Sequence, residues 1–215
     1  MKKHITHPDF EQFAEQYSTP EDALLYRIYR ETHVRRLNPR MITGHLQGLL
    51  LKQISWMLRP KQILEIGTFT GYSAICLATG LADGGKLITV DSNPEIEDIA
   101  RHYFEESGYS HQISILIGEA VQIIPSLQQQ FDLVYIDADK ENYLNYFKLV
   151  FDRVRKNGFI IADNVLWDGK VLEKGDKDAE TSGIAEFNAF VREDSRIEKV
   201  MLPIRDGIFL IRKLI

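Results

Sequence analysis

Two short stretches of this chain bring together the residue types that hard-cation chemistry needs: Asp137-Ala138-Asp139-Lys140 and Asp163-Asn164. Each ends an apolar run, Tyr135-Ile136 before the first and Ile160-Ile161-Ala162 before the second. Asp137, Asp163 and Asn164 supply two carboxylates and an amide oxygen, a set suited to Mg²⁺ or Ca²⁺ rather than zinc. Three protein oxygens leave about three positions of an octahedron for water or substrate. The plainer alternative stays open: Asp163-Asn164 turns the chain, and Asp139 pairs with Lys140. Beside a metal and a hydroxylated substrate, Lys140 could act as general base.

A third stretch, Leu64-Glu65-Ile66-Gly67-Thr68-Phe69-Thr70-Gly71-Tyr72-Ser73, reads as a buried strand, a glycine turn and a helix start. Backbone can approach a ligand closely at Gly67 and Gly71, and the helix start offers unpaired N–H groups. It is not a dinucleotide fingerprint, because residue 69 is Phe and G-x-G-x-x-G is incomplete. Glu65, just before the first glycine, would repel a pyrophosphate. A cationic, hydroxylated ligand suits it better, and S-adenosylmethionine has a sulfonium, an ammonium and a ribose diol. Asp91, ending Ile88-Thr89-Val90, is placed to accept from ribose hydroxyls. Gly118-Glu119-Ala120 follows the next strand; a small residue there lets an adenine ring lie against backbone, or it simply joins a loop to a helix.

The elements that position these residues follow from periodicity. Strands are expected over 62–66, 86–91, 112–116, 131–137 and 159–163, with helices over 72–81, 95–107, 120–129 and 143–155 between them. Near-continuous apolar strands suit a parallel sheet covered on both faces, so a doubly wound α/β fold is expected. Its ligands bind beyond the carboxyl ends of the strands. After a helix near 184–192, runs 197–202 and 208–212 flank Pro203-Ile204-Arg205-Asp206-Gly207 and read as an antiparallel pair at the sheet edge. The first 60 residues read as helical. Ser18-Thr19-Pro20-Glu21-Asp22 provides a cap, a first-turn proline and first-turn acids, and Thr43 can cap a third helix.

The chain has 215 residues, enough for one large domain rather than two small ones, with N-terminal helices over 1–60 and a Rossmann-like core over 61–215. At 44% hydrophobic residues it can build a full core, and a net charge of −5 argues against an electrostatic nucleic-acid binder. Cys76 is the only cysteine, so neither an internal disulfide nor a cysteine-based metal site is expected. There is no signal-peptide pattern and no run approaching a membrane span. A soluble, cytoplasmic protein is expected.

With these motifs assembled, the chain resembles the cation-dependent O-methyltransferases, the family of caffeoyl-CoA and catechol O-methyltransferases. The likeness runs from about Met41 to Arg212. It is carried by the glycine-turn motif, by Asp137-Ala138-Asp139-Lys140-Glu141-Asn142-Tyr143, by Asp163-Asn164-Val165-Leu166-Trp167-Asp168-Gly169, and by Leu202-Pro203 with Asp206-Gly207. The resemblance implies a seven-stranded, mostly parallel methyltransferase sheet with an antiparallel last strand. It implies that Glu65, Gly67, Thr68 and Ser73 hold the methionine part of S-adenosylmethionine. Thr43 and Asp139 match further donor contacts, Asp91 the ribose acid and Ala120 the adenine contact. Asp137, Asp163 and Asn164 match metal ligands for Mg²⁺ or Ca²⁺, and Lys140, with Asp137, matches the catalytic machinery as base. A homodimer is implied too.

The departures fall on the acceptor side. Catechol enzymes have a carboxylate where this chain has Pro203, and plant caffeoyl-CoA enzymes have Asn at Asp168 and a longer segment before the helix containing Asn188. Their N-terminal substrate lysine has no counterpart near Lys2 and Lys3, and Arg205 replaces a small residue. Arg30, Arg35, Arg36 and Arg40 could meet an acidic acceptor or CoA phosphates, or form a solvated helix face. The activity implied is methyl transfer to a hydroxyl of a small, vicinal-diol aromatic acceptor, with no nucleic-acid or membrane partner. Rival readings are an NAD-dependent oxidoreductase and a non-catalytic S-adenosylmethionine-binding protein.

Overall fold

A computed structural model describes residues 7–173, 175 and 177–215, so Lys2 and Lys3 lie outside the described residues. The chain falls into two compact units, Asp9–Glu119 and one built on Ala120–Ile215.

The first unit holds helices α1 (Pro8–Gln16), α2 (Ala23–Arg35) and α3 (His45–Leu58), then β1 (Gln62–Ile66), α4 (Tyr72–Ala78), β2 (Lys86–Asp91), α5 (Glu97–Ser107) and β3 (Ile113–Ile117). Two helix starts differ from the sequence expectation. The cap of α2 is Asp22, which accepts from the N–H groups of Leu24 and Leu25. Ser18 is engaged elsewhere, its hydroxyl donating to the Ala14 carbonyl at 2.7 Å, and Pro20 stands outside the helix. Nor does Thr43 cap α3. Gly44 precedes that helix at φ 78° with no side-chain cap, and Thr43 is buried instead.

The three strands are parallel, with Ile66 level with Val90 and Val90 level with Leu116. Their buried faces explain the apolar runs that predicted them. The ladder continues one step past each tip: Gly67 N–H donates to the Val90 carbonyl and Gly118 N–H to the Asp91 carbonyl, both at 2.8 Å. The glycine turn and Asp91 therefore leave the sheet at one level.

The second unit holds α6 (Ala120–Ile123), β4 (Phe131–Ile136), α7 (Tyr143–Phe151), β5 (Val154–Asp163), α8 (Ala179–Glu193), β6 (Ile197–Leu202) and β7 (Ile208–Lys213). The helix expected over 120–129 is four residues long and passes into a 3-10 turn, Ile124–Ser126. Pro125 has no N–H to continue the α-helical ladder. The helix expected to reach residue 155 stops at Phe151. Val154 instead pairs with Phe131, and the register shifts before Leu133 meets Phe159.

β4 and β5 run parallel; β7 runs antiparallel to both β5 and β6. The expected tight connection at Asp206-Gly207 is present, with Gly207 at φ 85° and its N–H donating to the Ile204 carbonyl at 2.9 Å. The seven strands are ordered β3-β2-β1 in the first unit and β4-β5-β7-β6 in the second, mostly parallel with an antiparallel last strand, as expected. No helix among the described residues is long and apolar enough to cross a membrane.

Candidate active site

In the first unit the expected donor-binding residues cluster around the glycine turn. Glu65 is fully buried, as is Thr89 on the neighbouring strand. The Thr89 hydroxyl donates to Glu65 Oε2 at 2.6 Å and lies 2.6 Å from the Thr68 hydroxyl. A buried carboxylate is costly unless hydrogen-bonded, and Thr89 supplies part of that compensation. Ser73 is buried in the first turn of α4.

Asp91 has a second task that its position at a strand tip did not reveal. Its Oδ2 accepts from the N–H groups of Thr68 and Phe69, at 3.0 and 2.9 Å, and its Oδ1 from Asn93 N–H at 2.9 Å. The carboxylate holds the glycine turn in shape. Three of about four acceptor directions are thus taken by the protein's own backbone. The turn contains Phe69 at φ 46° and Gly71 at φ 81°, both left-handed.

Gly71 has a packing reason to be glycine, beside the expected close ligand approach. A Cβ there would lie 2.6 Å from Phe104 Cε1, so protein packing itself excludes a side chain.

In the second unit Asp137 and Lys140 follow β4 (Asp137 directly), Asp163 ends β5 and Asn164 follows it. Lys140 is buried, and its amine donates to Asp137 Oδ1 at 3.0 Å and to the Tyr143 hydroxyl at 2.6 Å. The plain alternative of an Asp139–Lys140 pair does not hold. Asp139 accepts from the Tyr146 hydroxyl and from Asn142 Nδ2. Lys140 also lies over the rings of Tyr143 and Trp167, 4.6 and 5.7 Å from their centroids. Asp163 is buried; its Oδ2 accepts from the Tyr135 hydroxyl at 2.9 Å and its Oδ1 from Asn164 N–H at 2.7 Å. Burial, with Asp163 and Asp137 nearby, pushes both the Tyr135 and Tyr143 hydroxyls well above the usual tyrosine range, so both remain donors.

The segment after Asp163 is strained. Asn164, Trp167 and Asp168 all have left-handed backbones, at φ 56°, 48° and 52°, each costing about 1–3 kcal/mol. Its restraints are visible: Val165 N–H donates to the Gly207 carbonyl and Leu166 N–H to the Asp206 carbonyl. Asp168 N–H donates to Asp206 Oδ1 at 2.6 Å, and Asn188 Nδ2 to the Val165 carbonyl at 2.7 Å. Burial raises the Asp206 carboxyl to about 6, with Asp168 and Asp163 adding to the rise and Lys140 opposing it.

Of the remaining expected contacts, Ala120 is buried at the start of α6, while Thr43 and Asp139 stand as described. Arg30, Arg35 and Arg40 are exposed and Arg36 is partly so; Arg35 pairs with Glu31 at 3.5 Å.

Comparison with known proteins decides the family. An O-methyltransferase family model matches residues 15–214. The chain belongs to the O-methyltransferase family. This O-methyltransferase is 32% identical over 207 residues to a caffeoyl-CoA O-methyltransferase from Petroselinum crispum, covering 91% of the chain and 86% of the relative. It is 36% identical to one from Pinus taeda, covering 79% and 69% respectively. Among solved structures, the O-methyltransferase from Bacillus cereus in complex with SAH has 28% identity and a TM-score of 0.88, covering 95% of this chain and 97% of that one. TomG from Streptomyces achromogenes, involved in tomaymycin synthesis and solved with SAM, has 26% identity and a TM-score of 0.89, with both chains fully covered. Fold and activity class agree: this is an S-adenosylmethionine-dependent O-methyltransferase, and a nicotinamide enzyme is not favoured.

The donor set of the second unit fits a hard divalent cation by its chemistry. The two acids of that set, Asp137 and Asp163, are linked through one chain of hydrogen bonds: the Lys140 amine donates to Asp137 Oδ1 and to the Tyr143 hydroxyl, which donates to the Asp163 main-chain oxygen. Among the described residues no three His, Cys, Asp or Glu side chains converge closely enough for a metal. Four residues escaped the sequence reading. Thr89 and Tyr135 look like ordinary strand residues, and Asp206 like a turn residue. Tyr143 alone carried a signal, standing one helical turn after Lys140.

Proposed function

We propose that this O-methyltransferase acts, as a single catalytic domain, on a hydroxyl of a small aromatic acceptor with vicinal hydroxyls, assisted by a divalent cation such as Mg²⁺. The caffeoyl-CoA enzymes among its relatives support an acceptor of the caffeoyl kind, whose ring is a catechol. The observation that carries the reading is Lys140, a buried amine held against Asp137 and Tyr143. A solvated surface lysine would not be held so.

The donor's methionine part is assigned to Glu65, Gly67, Thr68 and Ser73, with Thr43 and Asp139 as further contacts. Asp91 takes the ribose and Ala120 the adenine. Asp137, Asp163 and Asn164 would hold the cation, which when bound supplies Lewis acidity to an acceptor hydroxyl. Lys140 takes the proton of that hydroxyl, and the oxygen then attacks the donor methyl in line. Charge is neutralised in the step, so the protein's main tasks are alignment and exclusion of water. Well-oriented partners gain on the order of 7–11 kcal/mol in this way.

Transfer to catechols and hydroxycinnamoyl-CoA esters, assayed with Mg²⁺ and with chelator, tests the reading. Equal rates under both conditions would remove the cation. Lys140→Ala with an unchanged rate would remove the base. A cytoplasmic homodimer completes the proposal, supported by exposed Phe10, Phe13 and Tyr17 in the N-terminal region; sedimentation at the mass of one chain would contradict it.

A further inference from the structure

Two fully buried phenols converge on Asp163. Tyr135 stands opposite Ile161 in the parallel register of β4 and β5. Side chains alternate along a strand, so Asp163, two residues beyond Ile161, shares the face of Tyr135. Its hydroxyl donates to Asp163 Oδ2 at 2.9 Å. Tyr143 opens α7, and its hydroxyl donates to the main-chain oxygen of the same Asp163, also at 2.9 Å. That hydroxyl also accepts from the Lys140 amine at 2.6 Å. Both rings are wholly buried, and a phenylalanine would fill either space. The hydroxyls therefore do something that packing alone does not require.

We propose that Tyr135 and Tyr143 are positioning residues: Tyr135 fixes the Asp163 carboxylate, and Tyr143 fixes the Asp163 main chain and, through its hydroxyl oxygen, the Lys140 amine. Neither touches substrate. The inference rests on the reading of Asp163 as a cation ligand. Hydrogen-bond partners of a ligating carboxylate orient it, and their loss typically weakens metal affinity about 10–100-fold. Tyr135 leaves one Asp163 oxygen, Oδ1, turned toward the Asn164 N–H and holds the other, so the carboxylate plane is set before any cation arrives.

The test is calorimetric titration of the full chain with Mg²⁺ alone, without donor or acceptor, for the wild type, Tyr135→Phe and Tyr143→Phe. The expected result is Mg²⁺ affinity lowered about 10–100-fold in Tyr135→Phe and lowered less in Tyr143→Phe, with donor affinity unchanged in both. Steady-state rates for Tyr143→Phe should show kcat reduced with KM for the donor unchanged, since Lys140 loses its second partner. A merely structural role would lower the melting temperature and leave Mg²⁺ affinity and the kcat-against-KM split unmoved. Wild-type Mg²⁺ affinity in both variants overturns the inference and leaves the cation reading standing. A wild type that takes up no Mg²⁺ overturns both. If Tyr135→Phe does not fold, Tyr143→Phe decides alone, because its hydroxyl reaches a different atom of Asp163.

Discussion

Replacing Gly71 by alanine separates two explanations of the same residue. If Gly71 exists so that a ligand can approach the backbone, Gly71→Ala should weaken donor binding and leave stability near the wild type. The structure points to packing. The new Cβ would meet Phe104 Cε1 at 2.6 Å, Cζ at 3.1 Å and Cδ1 at 3.5 Å, and Phe104 is itself buried. Overpacking a core typically costs about 1–3 kcal/mol. An alanine at φ 81° adds about 1–2 kcal/mol for the left-handed backbone. The expected loss is thus about 2–5 kcal/mol, read by urea or thermal unfolding. Phe104→Leu should recover the packing part and leave the backbone part, so the double variant should be more stable than the sum of the singles, by about 1–3 kcal/mol of coupling. Donor titration is run on all four proteins. Strict additivity would refute the steric argument, as would a stable Gly71→Ala that has lost only donor affinity.

Asp91→Asn should destabilise the chain by about 1–3 kcal/mol and weaken donor binding together, because one acceptor oxygen becomes a donor facing N–H groups; a variant that loses donor binding with no change in melting would contradict the turn-holding role. The folded pKa of Asp206, about 6, lies above its ordinary 3.8, so the native state binds the extra proton and stability falls as pH rises between those values. In metal-free protein, Asp206→Asn keeps an acceptor for Asp168 N–H. It should therefore melt with the wild type near pH 4 and above it beyond pH 6, by at most about 3 kcal/mol and less after solvent screening; coincident melting at pH 8 would refute this. Burial pushes the Cys76 thiol above its usual range, so a thiol reagent should modify it only as fast as the chain unfolds, and modification of the folded protein within seconds would contradict that. Asp22→Ala should cost about 1 kcal/mol through loss of the α2 cap, measured by thermal melting.

What the sequence revealed and what it hid follow a physical division. A carboxylate ending an apolar run is conspicuous, because nothing in the sheet interior asks for it. Asp91, Asp137 and Asp163 were legible for that reason, as were the parallel strands whose double burial makes them uniformly apolar. Element ends were less legible where two local rules conflict. Val154 continues the apolar pattern of α7, yet it pairs with Phe131 in the sheet. Thr43 has the chemistry of a cap, but Gly44 provides the backbone that starts α3.

The candidate site was hidden differently, because its supporting residues are the ones that resemble core. Tyr135 lies in an apolar strand, and nothing in a one-dimensional pattern separates a phenol that fills space from one that donates to Asp163. Thr89 is likewise a β-branched residue where strands favour them, and only the register places it between Glu65 and Thr68. Asp206 reads as a turn former, yet its carboxylate and carbonyl take two N–H groups from the strained segment after Asn164. In each case the informative quantity is a partner far away in sequence, 28 residues for Tyr135 with Asp163 and 38 for Asp168 with Asp206. The same distance explains why Lys140 invited the wrong pairing. Asp139 is adjacent in sequence, but adjacent side chains leave an extended or turning backbone in different directions. Asp137, three residues before Lys140 and ahead of the 3-10 turn that opens there, faces the amine. Removing Asp139 should therefore leave Lys140 in place, whereas removing Asp137 strips it of its only salt-bridge partner among the described residues.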